Sequence, residues 1–264
     1  MNTERHAGPS ALAIVAHGTR SAQGLAESWA FARALTARSG RPTQLCFLEL
    51  AQPDLDAGLE MAAQSIGGDG TLTVLPLFLG AGDHYKSDTP EAMRRCAQRH
   101  PRLTLRYAGP LGPHPALIDL LRLRVEQAVA ETPEAAPANE SAVLVVGRGS
   151  LEEDSNSEIA RAAYLLWSGS NWGTVEYAFQ AVKRPTIAEG VARCRKLGAR
   201  QIVVAPYLLF AGRVYDDTRE TSARAAAPDI RVIHAGYLAG AGAQPHPGLL
   251  DGAAHRIREA APWP

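Results

Sequence analysis

The sequence predicts an α/β protein of two similar lobes, each a parallel sheet flanked by helices. Three observations predict this class. Short apolar runs alternate with stretches of helical spacing along the 264 residues, the order of these elements occurs twice, and a polar segment separates the two copies. The predicted boundaries are a first unit at 11–130, a linker at 131–140 and a second unit at 141–260.

The first unit reads as strand, helix, strand, helix, strand, helix. Its first strand is the apolar run 11–16, which ends at a Gly-containing loop. Apolar residues recur at helical spacing over 22–37 and 54–63, and further strands are predicted at 44–50 and 72–79. Thr89-Pro90-Glu91 then has the order of an N-cap, a proline at the first helical position and an acid in the first turn.

The second unit repeats this order at a nearly constant offset of about 131 residues, too long a match for a chance pairing of strands. The run 142–146 corresponds to the first strand, and 202–209 corresponds to the strand at 72–79. Matching Pro-His-Pro turns around His114 and His246 suggest a structural use for these histidines. Between the units, the polar, proline-bearing segment 131–140 has no periodicity, as expected of a linker.

The composition excludes several classes of protein. Lys+Arg and Asp+Glu number 27 each, so the chain has no global positive field that would gather nucleic acid or an anionic membrane. The three cysteines lie far apart without a CxxC pair, which argues against a zinc ribbon, an iron–sulfur cluster or a disulfide framework. Met1 to Ser10 lacks the apolar run of a signal peptide, and no segment approaches the roughly 20 apolar residues that span a bilayer. We expect a cytoplasmic protein with no nucleic-acid or membrane partner and no permanently bound cofactor.

Chemistry-bearing side chains are predicted at the carboxyl edge of the first sheet, where α/β proteins bind ligands. His17 directly follows the first strand, and His84 follows the third after a short turn. Two neutral imidazoles can share cobalt, iron, nickel or zinc and leave positions open for exchange. Glu49, near the end of the second strand, either ligates the metal or takes up a proton.

The second unit lacks all three of these groups. Arg148 stands in the place of His17, Ala181 in that of Glu49 and Val214 in that of His84, and Arg213 matches Asp83. This predicts one active lobe and one supporting lobe. The permanent charge of Arg148 suits a carboxylate or a phosphate.

Three segments together resemble the sirohydrochlorin chelatases of the cobalamin and siroheme pathways. They are His17-Gly-Thr-Arg20, Phe47-Leu-Glu49 before Pro53, and Pro76 to His84 before Asp88-Thr89-Pro90. The duplication resembles the long, two-unit form of this family. The resemblance implies the class II chelatase sandwich and a lyase that inserts Co²⁺ or Fe²⁺, as a metal substrate, into sirohydrochlorin or a precorrin-type relative.

The resemblance also implies roles for residues. His17 and His84 would hold the incoming metal, and Glu49 would contact the macrocycle and help with the pyrrole protons. The turn formed by Leu79, Gly80, Ala81, Gly82 and Asp83 would also contact the macrocycle. Arg148 and Arg213 are candidates for binding the carboxylates of the substrate. The two units can face each other as two copies of a single-unit protein would, so we expect an active monomer.

Two alternatives remain open. A metal or tetrapyrrole carrier without turnover would share the two histidines and the cleft. A histidine phosphatase also places His-Gly after a strand, but Ala16 stands where such enzymes usually have an arginine. A nucleotide site at Gly80-Ala81-Gly82 is weaker still, because Tyr85 replaces the third glycine of that motif.

Overall fold

The computed structural model describes residues 8–240, 242 and 244–264 of the chain. It contains two sheets, each built around four parallel strands in the same order, which confirms the predicted fold class. In the first sheet the spatial order is β2-β1-β3-β4, with β1 Ser10–Ala16, β2 Thr43–Phe47, β3 Gly70–Pro76 and β4 Leu103–Tyr107. In the second sheet the order is β6-β5-β7-β8, with β5 Ser141–Gly147, β6 Thr174–Phe179, β7 Gln201–Pro206 and β8 Arg231–His234. Residues 1–7, which form most of the segment examined for a signal peptide, lie outside the described residues.

Within the residues that the structure describes, eight α-helices connect and cover the strands. They are α1 Ala22–Ser39, α2 Leu55–Gln64, α3 Thr89–Arg99, α4 Pro115–Ala130, α5 Glu153–Ser168, α6 Ile187–Lys196, α7 Arg213–Ala225 and α8 Pro247–Glu259. A 3₁₀ turn, Ala138–Glu140, lies in the predicted linker just before β5. None of the helices in the described ranges has the length and apolar content needed to cross a membrane.

The main core lies between the two sheets. Leu12 and Ile14 of β1 belong to the same buried cluster as Val143 and Val145 of β5. Helices α1 and α4 of the first unit meet α5 and α8 of the second in this layer, where α1 contacts α8 and α4 contacts both α5 and α8. The central strands β1 and β5 are buried on both faces, which explains why each reads as a continuous apolar run.

The predicted order of elements missed one strand in each unit, β4 and β8. In β4, exposed Thr104 and half-buried Arg106 alternate with buried residues, so five residues at the side of a sheet give only a weak apolar signal. The strands predicted at 44–50 and 72–79 are also shorter, since β2 ends at Phe47 and β3 at Pro76.

The prediction that Thr89 caps a helix is wrong. A π-helical turn, His84–Asp88, runs directly into α3, so Thr89 already has helical backbone angles. Its buried side chain donates a hydrogen bond to the carbonyl oxygen of His84, 2.8 Å away. The predicted structural use of His114 and His246 is confirmed, because each Nδ1 atom caps a helix by accepting a backbone N–H at 3.2 Å.

The two units are also joined through the first sheet. A two-residue strand, β9 Ala261–Pro262, follows α8 and pairs antiparallel with β4. The backbone N–H of Trp263 donates to the carbonyl oxygen of Leu105 at 2.8 Å, and the Trp263 ring meets Tyr107 edge-on. The first sheet therefore carries a fifth strand, contributed by the segment that directly follows the second unit.

Candidate functional site

The two candidate histidines lie together at the carboxyl edge of the first sheet. His17 directly follows β1, and His84 begins the π-helical turn that comes after β3. Their ring centroids are 4.9 Å apart and their planes nearly perpendicular, at 89°. β1 and β3 are neighbours in the sheet, which brings the two strand ends to one place.

The loop after β1 is fixed against the loop after β2. Gly18 has a φ of 96°, and a Cβ atom there would lie 1.8 Å from the carbonyl oxygen of Glu49. The N–H of Glu49 donates to the carbonyl oxygen of His17 at 3.1 Å. Only glycine allows this approach, and the approach carries the Glu49 side chain to the ring of His17.

Each histidine has its Nδ1 atom beside a carboxylate. Nδ1 of His17 lies 3.3 Å from Oε1 of Glu49, and Nδ1 of His84 lies 2.6 Å from Oδ2 of Asp88. Carboxylates in this position orient metal-binding histidines and leave Nε2 for the metal. Asp88 was not among the residues predicted for the site; its spacing, four residues after His84, was the signal that could have identified it.

Arg148 reaches the same site from the second unit. It follows β5 as His17 follows β1, and its Nη1 atom lies 2.9 Å from Nε2 of His17. A guanidinium group only donates hydrogen bonds, so Nε2 of His17 is the acceptor and Nδ1 carries the ring proton. Burial lowers the pKa of His17 from its ordinary value of 6.5, and the charges of Arg148 and His84 add to this, while Glu49 opposes it.

The other predicted site residues lie around this centre. Gly80 packs against α5 of the second unit, because a Cβ atom there would lie 2.7 Å from Oγ of Ser155. Asp83 is exposed and accepts a hydrogen bond from the hydroxyl of Ser87 at 2.9 Å. Arg213 begins α7 with a side chain that is 91% exposed and pairs with Asp217 at 3.4 Å.

A second ionic contact joins the units beside the histidines. Lys86, two residues after His84, has its Nζ atom 2.7 Å from Glu152 and 2.8 Å from Asp154, both in the segment that follows Arg148. All three groups are substantially exposed, so water and salt weaken each pair. The contact holds the turn of His84 near the loop of Arg148.

Across the part of the chain that the structure describes, no group of three or more His, Cys, Asp or Glu side chains is placed to hold a metal ion. The candidate ligands are therefore the two imidazoles. A metal held by two protein ligands keeps positions for water or for a second ligand, which suits an ion that is passed on.

The two-lobed α/β sandwich, with parallel sheets flanked by helices, is the architecture of the class II chelatases. The chain belongs to the CbiX family, whose model matches residues 11–128 and again 142–260. The repeated match corresponds to the two sheets, β1 to β4 and β5 to β8.

Known proteins similar to this chain include two from Priestia megaterium. A sirohydrochlorin cobaltochelatase is 32% identical over 75% of this chain and 64% of its own length. A sirohydrochlorin ferrochelatase is 29% identical over 93% of this chain and 86% of its own length. The chain thus spans just under two thirds of the first relative and most of the second.

Solved structures agree with the fold. The structure of SirB from Bacillus subtilis with Fe³⁺ is 26% identical, covers 95% of each chain and superimposes with a TM-score of 0.79. The cobalt complex of the sirohydrochlorin chelatase SirB from Bacillus subtilis subspecies spizizenii is 24% identical, with a TM-score of 0.74 and coverage of 95% and 94%. At that identity, the second match supports the fold alone.

Proposed function

We propose that this protein is a sirohydrochlorin chelatase, a lyase that inserts Co²⁺ or Fe²⁺ into the macrocycle for cobalamin or siroheme biosynthesis. The observation that carries the proposal is the pair of imidazoles at the carboxyl edge of the first sheet. Their ring centroids are 4.9 Å apart, and Arg148 of the second unit faces His17. Membership of the CbiX family and the names of the relatives support the substrate.

In this proposal, His17 and His84 present their Nε2 atoms to the metal ion. Both Nδ1 atoms already face carboxylates, so the rings are oriented before the ion arrives. Two imidazoles leave the remaining coordination positions to water, and the pyrrole nitrogens of the macrocycle replace that water during insertion.

Insertion releases two protons from the pyrrole nitrogens, and these need an acceptor near the metal. Glu49 fits this role because its carboxylate contacts His17 while 53% of the side chain remains exposed. A proton taken up there can leave to solvent. Glu49 thus both orients His17 and carries protons away from the site.

The carboxylates of sirohydrochlorin require cations and backbone N–H groups at the cleft. Arg148 supports this role because its guanidinium faces the histidine pair, and Arg213 extends into solvent from the start of α7. The turn at 79–83, which lies between the two units, completes the wall on the side of His84.

The test is to mix the purified protein with sirohydrochlorin and Co²⁺ or Fe²⁺ and to follow the visible spectrum of the macrocycle. We expect more than one metallated product per chain. A change that stops at one equivalent would support a carrier, and stable phosphohistidine after incubation with a phosphate donor would revive the phosphatase alternative.

The residue assignment is tested by His17→Ala and His84→Ala, which we expect to lower insertion by several orders of magnitude with little change in thermal stability. His255→Ala is a matched control: His255 also pairs with a carboxylate four residues later, Glu259, and its side chain is 40% exposed, as is that of His84. Insertion at the control rate in both site variants would contradict the assignment.

A further inference from the structure

We propose that Arg148 is a positioning residue that closes the metal site until a carboxylate of the macrocycle draws it away, so that the macrocycle binds first and the metal second. This inference rests on the proposed function. It assigns Arg148 two alternating partners, Nε2 of His17 and a carboxylate of the substrate.

Arg148 and a metal ion compete for the same lone pair, that of Nε2 of His17. Nδ1 of His17 carries the proton and faces Glu49, so Nε2 is the nitrogen available to a metal. The guanidinium of Arg148 lies 2.9 Å from that atom. A lone pair accepts either an N–H or a metal ion, and the positive charge of Arg148 also repels a divalent cation that approaches His17.

The hydrogen-bond partner of Arg148 is a neutral imidazole, whereas other cations around the cleft are paired with carboxylates. Lys86 contacts Glu152 and Asp154, Lys183 contacts Glu153, and Arg213 contacts Asp217. Within residues 8–240, 242 and 244–264, Arg148 forms no ion pair with a carboxylate. A hydrogen bond between two charged groups is stronger than one to a neutral imidazole, and a guanidinium can hold a carboxylate in bidentate fashion. A substrate carboxylate that reaches Arg148 therefore displaces His17.

Only the side chain of Arg148 has to move for the metal site to open. The loop behind Arg148 is braced by the buried side chain of Asn156, which accepts from the N–H of Ser150 at 2.9 Å and donates to its carbonyl oxygen at 2.8 Å. Gly149, with a φ of 90°, packs on the carbonyl oxygen of Ala181, 2.1 Å from where a Cβ atom would be. The exposed Arg148 side chain extends from this fixed backbone.

The consequence is an order of events. With the macrocycle seated, Arg148 holds its carboxylate, and Nε2 of His17 is free beside His84 to receive the metal. Release of the metallated product returns Arg148 to His17. The site then resists binding stray metal ions between turnovers.

The test is calorimetry of Co²⁺ binding without tetrapyrrole. Arg148→Ala should bind Co²⁺ about 10- to 100-fold more tightly than the unmodified protein, within the usual range of coupling between sites. Arg102→Ala is the control: it removes the same charge from an exposed residue before β4, at the opposite edge of the sheet, and should leave Co²⁺ affinity unchanged. The gain in Co²⁺ affinity should vanish when His17→Ala is combined with Arg148→Ala, because Arg148 and the metal ion no longer compete for Nε2 once the imidazole is gone.

Binding of metal-free sirohydrochlorin supplies the reciprocal measurement. Arg148→Ala should weaken it about 10-fold, whereas His17→Ala, which frees Arg148, should not weaken it through this residue. Arg148→Gln, which keeps most of the side-chain volume without the charge, should behave as Arg148→Ala and controls for local collapse.

Unchanged or weaker Co²⁺ binding in both Arg148 variants would overturn the inference, as would a gain that persists without His17. The closing role of Arg148 can fail while the proposed function stands. If His17→Ala abolishes metal insertion while the Arg148 variants bind Co²⁺ like the unmodified protein, the chelatase assignment stands and the closing role of Arg148 is wrong.

Discussion

In the proposed metal site, Asp88 decides which nitrogen of His84 would face the ion, although it lies outside the histidine pair. Its carboxylate lies 2.6 Å from Nδ1 of His84, four residues earlier along a π-helical turn. The contact restrains the rotation of the ring and leaves Nε2 without this carboxylate as a partner. Glu49 does the same for His17 at the longer distance of 3.3 Å.

Replacement of this carboxylate should weaken the site without removing a ligand. We expect Asp88→Asn to lower metal affinity about 10- to 100-fold, the usual cost of losing such a partner, because the amide can also present its NH₂ group to the ring. The control is Glu259→Gln at the corresponding pair of His255. Calorimetric titration measures the Co²⁺ affinity of both variants. Equal Co²⁺ affinities of Asp88→Asn and Glu259→Gln would mean that Asp88 serves folding alone.

The pH dependence of Co²⁺ affinity should follow the protonation of His17. Because burial and neighbouring positive charge lower the pKa of His17 below 6.5, its neutral form, which the proposed metal binding requires, persists to more acidic pH than in free histidine. The contribution of His17 to Co²⁺ affinity should therefore be lost only as the pH falls through this lowered pKa. NMR titration of the His17 ring should give a pKa under 6.5 that rises in Arg148→Ala; a value at or above 6.5 in the unmodified protein would contradict the effect of burial.

The site was only partly predictable from the sequence. His17 and His84 could be placed together because neighbouring parallel strands end at one edge of a sheet. The contact between Arg148 and His17 could not, since it depends on how the lobes pack and where a long side chain points. The equivalence of the two positions in the repeat was visible, but their separation of 2.9 Å was not.

At the scale of elements, the loops after β2 and β6 share a strained residue. Leu50 has a φ of 63° and Val182 a φ of 69°, a region that side chains other than glycine rarely adopt. Both side chains are exposed, at 49% and 63%, next to Glu49 and its counterpart Ala181. Strain of about 1–3 kcal/mol that is retained at an exposed position is typical of functional loops.

Relief of this strain should stabilise the protein. Val182→Asn should raise the free energy of unfolding by about 1 kcal/mol in urea, because asparagine tolerates the left-handed region better than a β-branched residue. Leu197→Asn is the control, since Leu197 is 61% exposed with an ordinary φ of −81°, and it should change stability by less than about 0.5 kcal/mol. If Val182 contacts the macrocycle, the same substitution weakens sirohydrochlorin binding. A destabilised Val182→Asn would show that the loop needs valine for packing.

Elements buried on both faces were the most predictable. The runs at β1 and β5 are apolar throughout, whereas β4 and β8 show weak patterns in four or five residues. The π-helical turn before α3 was also missed, because Thr89-Pro90-Glu91 matches a helix start and nothing local shows that the helix begins five residues earlier.

At the scale of the molecule, the units are joined by polar contacts as well as by the shared core. Glu27 of α1, only 8% exposed, accepts the N–H of Ala211 in the second unit at 2.8 Å and the hydroxyl of Tyr237. The contacts of Arg148 and Lys86 add further polar links between the two units.

One chain should therefore be enough for activity. We expect the rate of insertion per chain to stay constant on dilution into a range where light scattering reports a monomer. Loss of activity under those conditions, with the fold retained by circular dichroism, would mean that a second chain contributes to the site.

The antiparallel strand β9 has a consequence for synthesis of the chain. Strand β4 forms within the first 107 residues, yet the strand that covers its outer side lies at 261–262, beyond the whole second sheet. Until residues 261–262 have been synthesised, this edge of β4 offers free N–H and C=O groups, which invite pairing with other nascent chains. Arg106 provides a charge on that exposed edge during the interval, and after synthesis its guanidinium donates to the carbonyl oxygen of Ala260, next to the strand that closes it. The same residue thus places a charge beside the unfinished edge and later contacts the chain next to the strand that completes it.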